Sequence, residues 1–218
     1  METLCQLSSK VCSYVSFGLG FFSFIQITFG LFMTFRRIDA SGISHVQSFI
    51  IFGGWDVRVK YRRIILSSTE IITEHGVSVG PEMPEGVFRH AVASVNETTS
   101  IISGGSTSSA ITNQRGSPKT WFFNHVSQQF QTGPLLITSR HSHASATIKD
   151  HQTMENIVVV IGGWNYNNPM TYEDARLDST ELLINGESEW QQGKILCKII
   201  KICWFPLFCG WHSFSNAR

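Results

Sequence analysis

The chain has 218 residues, enough for one or two ordinary domains, and its formal net charge is +1. A net charge so close to zero excludes a strong global field that would attract nucleic acid, and we therefore predict no nucleic-acid partner. Charged residues make up only 15% of the chain and aromatic residues 12%, which indicates an unusually apolar protein.

The N-terminal segment, residues 1–45, contains a run without charge at 11–35, bounded by Lys10 and by Arg36 and Arg37. The run is long enough to cross a bilayer as a transmembrane helix. Positive charge is heavier on its C-terminal side, which predicts that the rest of the chain is cytoplasmic and membrane-anchored through this run. Three alternatives remain open: a secretory signal peptide, a distorted first repeat, and unrelated sequence at the start of an incomplete chain.

The cysteines separate the two ends of the chain from its middle. All five lie in the ends, at Cys5, Cys12, Cys197, Cys203 and Cys209. Their odd number and the lack of CxxC spacing argue against a disulfide framework or a zinc site. Residues 197–218 do not begin a new repeat, so we treat them as a non-repeat tail.

The middle of the chain repeats. Three apolar segments end in glycine pairs that start at Gly53, Gly104 and Gly162, which are 51 and 58 residues apart. In the first and third units a Ser-Thr-Glu segment follows, at 68–70 and 179–181, and KTWFFN takes its place in the second. Each unit contains short segments rich in Val, Ile, Thr and aromatic residues, bounded by turn residues. We therefore predict an all-β region with about four strands in each unit.

These glycine pairs, with an aromatic residue near the end of the unit and strands that open with Arg and His, resemble the kelch family. The resemblance covers residues 46–196 and about two and three quarters repeats. It implies a partial β-propeller built of four-stranded antiparallel blades. It also implies structural roles for the repeated positions, which are Gly53, Gly54, Gly104, Gly105, Gly162, Gly163, Arg89, His90, Arg140, His143, Phe130 and Trp190.

The first unit departs from this pattern. Val77 stands where the second and third units have Phe130 and Trp190, and no clear Arg–His strand precedes the first glycine pair. Fewer than three full blades would leave strand edges exposed. Either the termini form irregular blades, or the chain assembles with further blades, or it is a fragment, which we favour.

The motifs that could indicate catalysis are all incomplete in this sequence. Residues 76–80 match the GxSxG nucleophile elbow around Ser78, but Pro81 and Pro84 disfavour the helix that this motif needs. His141, His143 and His151 lack the acidic or cysteine residues of a recognisable ligand set. Copper oxidases with kelch-like propellers use a cysteine on the propeller, and residues 13–196 contain none. We therefore predict no enzyme activity, no metal and no cofactor.

The connections after the glycine pairs, at 55–63, 106–119 and 164–178, differ in length and composition while the strands stay regular. By the kelch resemblance, we expect these loops to bind another protein. The candidate contact residues are Arg58, Arg62, Arg115, Trp164, Tyr166 and Tyr172, of types that commonly anchor interfaces. The predicted function is a protein-binding scaffold. A membrane-anchored or secreted recognition protein, and a fragment without independent function, remain alternatives; Asn96 in Asn-Glu-Thr is a glycosylation sequon that matters only for the secreted form.

Overall fold

A computed structural model of the chain describes residues 33–59, 62–108, 115–166 and 175–193. In this part of the chain the secondary structure consists of strands, with no helix. The predicted all-β class is therefore confirmed. The tail at 197–218 and most of the candidate membrane span, residues 11–32, lie outside the described residues.

The strands form three four-stranded antiparallel sheets and one two-stranded ribbon. Sheet 1 comprises β1 (Ser41–His45), β2 (Ser48–Phe52), β5 (Thr69–Thr73) and β6 (Gly76–Val79). Sheet 2 comprises β7 (Ala91–Ser94), β8 (Thr99–Ser103), β9 (Thr120–Asn124) and β10 (Gln129–Thr132). Sheet 3 comprises β11 (Ala144–Lys149), β12 (Asn156–Ile161), β13 (Thr180–Ile184) and β14 (Gln191–Gln192). The ribbon pairs β3 (Trp55–Val59) with β4 (Arg62–Ile65) inside the connection from β2 to β5.

The three sheets lie side by side, with sheet 2 in the middle. Its first strand, β7, contacts the first strands of both neighbouring sheets, β1 and β11. Because successive side chains of a strand point to opposite faces, adjacent apolar residues in β8 serve two different cores. Ile102 packs toward sheet 1 and Ile101 toward sheet 3. Consecutive apolar residues are thus what a strand covered on both faces requires.

Each gap between sheets is filled by a hydrophobic core. The core between sheets 1 and 2 contains Ile50, Phe52, Val87, Trp121 and Phe123. The core between sheets 2 and 3 contains Ala93, Val95, Val158, Leu183 and Trp190. A Val, Leu, Ile or Phe side chain stabilises a fold by about 1.5–3 kcal/mol on full burial, so each of these two cores holds its pair of sheets together.

The glycine pairs end the second strand of each sheet with two left-handed residues. The first glycines, Gly53, Gly104 and Gly162, have φ of 54°, 61° and 61°, where side chains are disfavoured. Space is also restricted: a Cβ added to Gly104 would lie 2.5 Å from the carbonyl oxygen of Arg140 and 2.6 Å from the ring of His143. The glycine therefore permits the close approach of sheet 3 to sheet 2.

A row of backbone hydrogen bonds joins the three sheets near their first strands. Asp39, Arg89 and Ser142 occupy the same position before β1, β7 and β11, and all three have positive φ, at 55°, 56° and 52°. Arg89 N donates to Asp39 O at 2.9 Å, and Ser142 N donates to Arg89 O at 2.8 Å. The three sheets therefore repeat one geometry, although the described residues form no closed ring.

The N-terminal side of sheet 1 differs from the expectation. Strand β1 lies before residue 46, where the repeat region was predicted to start, and pairs with β2 over its full length. The last residues of the apolar run, 33–35, precede this strand without helical structure. Among the residues that the structure describes, no helix is long and apolar enough to cross a membrane.

Candidate protein-binding surface and its supports

The three connections after the glycine pairs leave their sheets at the same end, which we call the loop end. The first connection is not an irregular loop, since β3 and β4 form a ribbon that projects from sheet 1. The second and third are described only near the sheets, at 104–108 and 115–119, and at 162–166 and 175–179. The loop end is therefore the most variable part of a regular scaffold.

The residue after each glycine pair connects the loop end to the segment that precedes the first strand of its own sheet. Trp55, Ser106 and Trp164 occupy this position, and form antiparallel bridges with Ile38, Phe88 and His141. The N–H of Trp164 donates to His141 O at 2.9 Å, and the N–H of His141 donates back to Trp164 O at 3.0 Å. The backbone beneath the third connection is thereby fixed.

A stack of flat side chains lies on this fixed backbone at sheet 3. The rings of Tyr166 and Trp164 are 5.7 Å apart and inclined by 6°, and those of His141 and Tyr166 are 5.5 Å apart and inclined by 19°. The guanidinium of Arg176 lies over the Trp164 ring at 5.3 Å. His141 is buried, Trp164 and Tyr166 are half-buried, and Arg176 is exposed. The stack therefore has a buried base and an accessible upper part.

Of the six predicted contact residues, the structure brings Trp164 and Tyr166 together in this stack. Arg115 is exposed in the second connection. Arg58 and Arg62 belong to the β3–β4 ribbon, at positions where only the backbone is described, and Tyr172 lies outside the described residues. Arg176 was missed by the sequence analysis, although it lies within the predicted third connection.

Arg140 supports the loop end of sheet 3 from inside. Its side chain is fully buried and forms an ion pair with Glu181 at 2.6 Å, where both side chains have 0% exposure. Its Nη1 donates to the carbonyl oxygens of Gly162 at 2.7 Å and Ser179 at 3.2 Å. A single guanidinium thus connects the glycine turn to the start of β13, because its planar shape presents several donors at once.

The Glu181 carboxylate also fixes the segment that enters sheet 3. It accepts hydrogen bonds from the backbone N–H groups of Ile137 at 2.7 Å and Thr138 at 2.9 Å. A buried carboxylate needs several donors of this kind. We call such a buried Arg–Glu ion pair, together with its hydrogen bonds to the backbone, a bracket.

Sheet 1 contains the same bracket, built from Arg37 and Glu70. Their side chains are 2.9 Å apart, both with 0% exposure, and Arg37 Nη1 donates to Gly53 O at 2.7 Å. Glu70 accepts from the N–H groups of Thr34 and Phe35. Burial lowers the pKa of the Arg37 guanidinium, an effect that the hydrogen bond and charge of Glu70 oppose. Arg37 borders the predicted membrane span in the sequence, and its side chain is buried against sheet 1.

Sheet 2 replaces the bracket with apolar residues. The position of Arg37 and Arg140 is held there by Val87, and that of the glutamates by Trp121, both buried in the core between sheets 1 and 2. Arg89, which the sequence analysis placed in phase with Arg140, lies two residues further on and forms a partly exposed ion pair with Asp39 at 2.9 Å. The two arginines are therefore not equivalent.

His90 and His143 occupy equivalent positions, and both are buried. Each follows the positive-φ residue of its sheet and lies against the first glycine of the sheet before it, Gly53 or Gly104. Burial lowers the pKa of each to about 3, with nearby Arg37 and Arg140 adding to the effect at His90 and His143 respectively. Both imidazoles are therefore neutral packing groups at ordinary pH.

The other predicted positions lie at strand ends and edges. Trp190 is buried in the core between sheets 2 and 3, whereas Phe130 is partly buried on β10 beside the core between sheets 1 and 2. Ser78, of the GxSxG match, lies exposed within β6, and the residues from 80 to 90 after it are not helical. Asn96 is exposed in the turn between β7 and β8, where its Oδ1 accepts hydrogen bonds from Thr98.

Comparison with known proteins adds no family assignment. No protein-family model matches the sequence, and no curated protein is significantly similar to it. Within the described ranges, no group of three or more His, Cys, Asp or Glu side chains is placed to hold a metal ion.

Proposed function

We propose that this chain is a protein-binding scaffold with kelch-like propeller blades, and that it recognises a protein partner at the loop end without catalysis. The observation that carries the proposal is the stack of His141, Tyr166, Trp164 and Arg176 on the third connection. Tyr, Trp and Arg are the residues in which interface binding energy is concentrated. A stack with a buried base presents such residues at low entropic cost, since their rotamers are held before the partner arrives.

The supporting scaffold favours the same conclusion. The backbone under Trp164 is held by its bridge to His141, and the Arg140–Glu181 bracket holds the glycine turn that precedes it. Loops placed on rigid sheets can vary without loss of the fold, and binding residues concentrate there. The first connection supplies a second element, the β3–β4 ribbon, whose sequence is basic at Arg58, Arg62 and Arg63. We expect a partner with an acidic region beside an apolar or planar group that the stack contacts.

The test is site-specific photo-crosslinking in cells with the full-length chain. A benzoylphenylalanine is placed at Tyr166 in one variant and at Val126 in a control, since Val126 is 76% exposed in the β9–β10 turn, at the opposite end of sheet 2. We expect a distinct crosslinked protein from position 166 and not from position 126.

The identified partner is then purified and its affinity is measured against variants. Arg176→Ala and Trp164→Ala are expected to weaken binding at least about tenfold, equivalent to roughly 1.4 kcal/mol each. Val126→Ala is the matched control and should leave affinity unchanged. Equal crosslinking at the two ends, or unchanged affinity in both stack variants, would refute binding at the loop end.

A further inference from the structure

The outer faces of the three-sheet array are complementary to each other. In each sheet, the leading face is the one on the side of sheet 1 in the array, and the trailing face is the one on the side of sheet 3. The outer faces are therefore the leading face of sheet 1 and the trailing face of sheet 3, which both point away from sheet 2. Inside the chain, a trailing face meets the leading face of the next sheet twice, once between sheets 1 and 2 and once between sheets 2 and 3. Within the described residues, a trailing face is thus covered by a leading face, and a leading face by a trailing face.

The trailing face of sheet 3 repeats the apolar pattern of the trailing face of sheet 2. In sheet 2, Ala93 pairs with Ile101 across neighbouring strands, and Val95 follows two residues after Ala93; all three are buried against sheet 3. In sheet 3 the corresponding residues are Ala146, Val159 and Ile148. Here Ala146 is exposed, Ile148 is 52% exposed and Val159 is half-buried. The same residue pattern is thus buried in one sheet and accessible in the other.

The leading face of sheet 1 repeats features of the leading face of sheet 3. Sheet 3 packs on sheet 2 with the Arg140–Glu181 bracket at its edge, and sheet 1 has the Arg37–Glu70 bracket at the same place. Beside it, Ile72 pairs with Val77, at the positions that Leu183 and Trp190 hold in sheet 3, and both are half-buried.

We infer that a second copy of this chain binds head to tail, with the leading face of its sheet 1 on the trailing face of sheet 3. Because the contacting faces differ, the contact is heterologous and can close into a ring. Two copies joined at both ends would bring six of the described four-stranded sheets into one ring, a number within the four to eight blades of propellers. At the two internal junctions, Gly54 N donates a hydrogen bond to Val87 O at 2.8 Å, and Gly105 N donates one to Arg140 O at 2.9 Å. We expect Gly163 N to donate in the same way to Arg37 O of the second copy.

The test measures the mass of the full-length chain by size-exclusion chromatography with multi-angle light scattering, over a range of concentrations and in one buffer. Ile148→Asp changes the trailing face and Val77→Asp the leading face. The control is Val126→Asp, in an exposed turn away from both faces. We expect the mass of two copies for the wild type and the control. Each face variant should associate at least about a hundredfold more weakly, because it buries an unpaired charge.

Mixing the two face variants is the decisive step. The intact leading face of Ile148→Asp can still bind the intact trailing face of Val77→Asp, so the mixture should recover a two-copy species that neither variant forms alone. This recovery also shows that both variants are folded, and Ala146→Arg provides a second trailing-face variant. A monomeric wild type would overturn the inference. Dimers of either face variant alone, which indicate like-to-like contact, or a ladder of larger oligomers would also overturn it.

Discussion

At the scale of single residues, the buried Arg–Glu brackets show how one structural position is filled by two kinds of chemistry. Sheets 1 and 3 use a guanidinium and a carboxylate with 0% exposure, whereas sheet 2 uses Val87 and Trp121. A buried ion pair is often no more stabilising than apolar residues of similar volume, but the loss of one partner leaves a buried charge. The bracket is thus valuable for the backbone groups that it fixes rather than for its Coulomb attraction alone.

Single and double substitutions of the bracket in sheet 3 should therefore have unequal effects on stability. Glu181→Ala leaves the Arg140 guanidinium buried without its carboxylate and removes the acceptor for Ile137 and Thr138. We expect it to lower the free energy of unfolding by about 3–5 kcal/mol in chemical denaturation. The matched control is the double variant Arg140→Val and Glu181→Trp, which copies sheet 2 and should recover part of that loss. A double variant less stable than Glu181→Ala would contradict the argument.

The buried histidines predict how stability depends on pH. His90 and His143 have pKa values of about 3 in the folded chain, lowered mainly by burial, against about 6.5 when unfolded. Between these values the unfolded state binds more protons, so the stability that the neutral histidines contribute is present above pH 6.5 and is lost as pH falls toward 3. Each histidine should lower the free energy of unfolding by on the order of 1 kcal/mol for every unit by which the pH falls in this range.

The measurement is chemical denaturation of the wild type and of His90→Leu between pH 8 and pH 4. His90 is the better probe, because neither of its ring nitrogens has a hydrogen-bond partner among the described residues, and a leucine removes the proton-binding group without breaking such a bond. We expect a shallower loss of stability in the variant. Part of the slope should remain, since His143 and the partly buried His125, whose pKa is lowered to about 4, still titrate. Parallel pH profiles would show that His90 does not contribute.

At the scale of elements, the glycine pair is the junction between one sheet and the next. Gly104 has the left-handed φ of 61°, and its missing Cβ leaves room for Arg140 O and the ring of His143. Gly186, in the turn after β13, also has a left-handed φ, at 73°, but an added Cβ would meet only a methyl group of Val95, at 3.0 Å. Both glycines therefore need the left-handed backbone conformation, but only Gly104 has a carbonyl oxygen of another segment close to it.

Gly104→Ala and Gly186→Ala separate these two contributions. Both should lose about 1–2 kcal/mol because alanine is strained in the left-handed region. Gly104→Ala should lose at least about 2 kcal/mol more, because the overlap with Arg140 O forces sheet 3 away from sheet 2. Thermal and chemical denaturation of the full-length variants measure the difference. Equal losses at the two positions would mean that the glycine pair serves local conformation only.

Elements with a repeated signal were predictable from the sequence, and elements without one were not. The strands before each glycine pair were found because Gly53, Gly104 and Gly162 mark the same point in each unit. Strand β1 was missed because the Arg–His signature is absent there and an apolar run precedes it. The bracket was missed because Arg37 and Glu70 are far apart in sequence and sheet 2 breaks the pattern at both positions. The Trp164–Tyr166–Arg176 stack depends on side-chain packing, which spacing does not reveal.

At the scale of the whole molecule, sheet 2 is the only one of the three sheets whose two faces are both covered by other described sheets. Adjacent residues of β8 divide its contacts, since Ile101 packs toward sheet 3 and Ile102 toward sheet 1, with exposures of 1% and 0%. Local unfolding begins where few buried apolar contacts must break. We therefore expect native-state hydrogen exchange to be slowest in β8 and β9, and faster in the sheets on either side.

Alanine at each of these two residues tests whether the sheets are coupled through separate cores. Each substitution removes the same apolar volume from a buried site and should cost about 2–5 kcal/mol. Ile101→Ala should speed amide exchange mainly in sheet 3, and Ile102→Ala mainly in sheet 1, because each cavity weakens only the core that it adjoins. Each variant is the other's control, since they differ by one position in the same strand. If both variants accelerate exchange equally in all three sheets, the molecule unfolds as one cooperative unit rather than sheet by sheet.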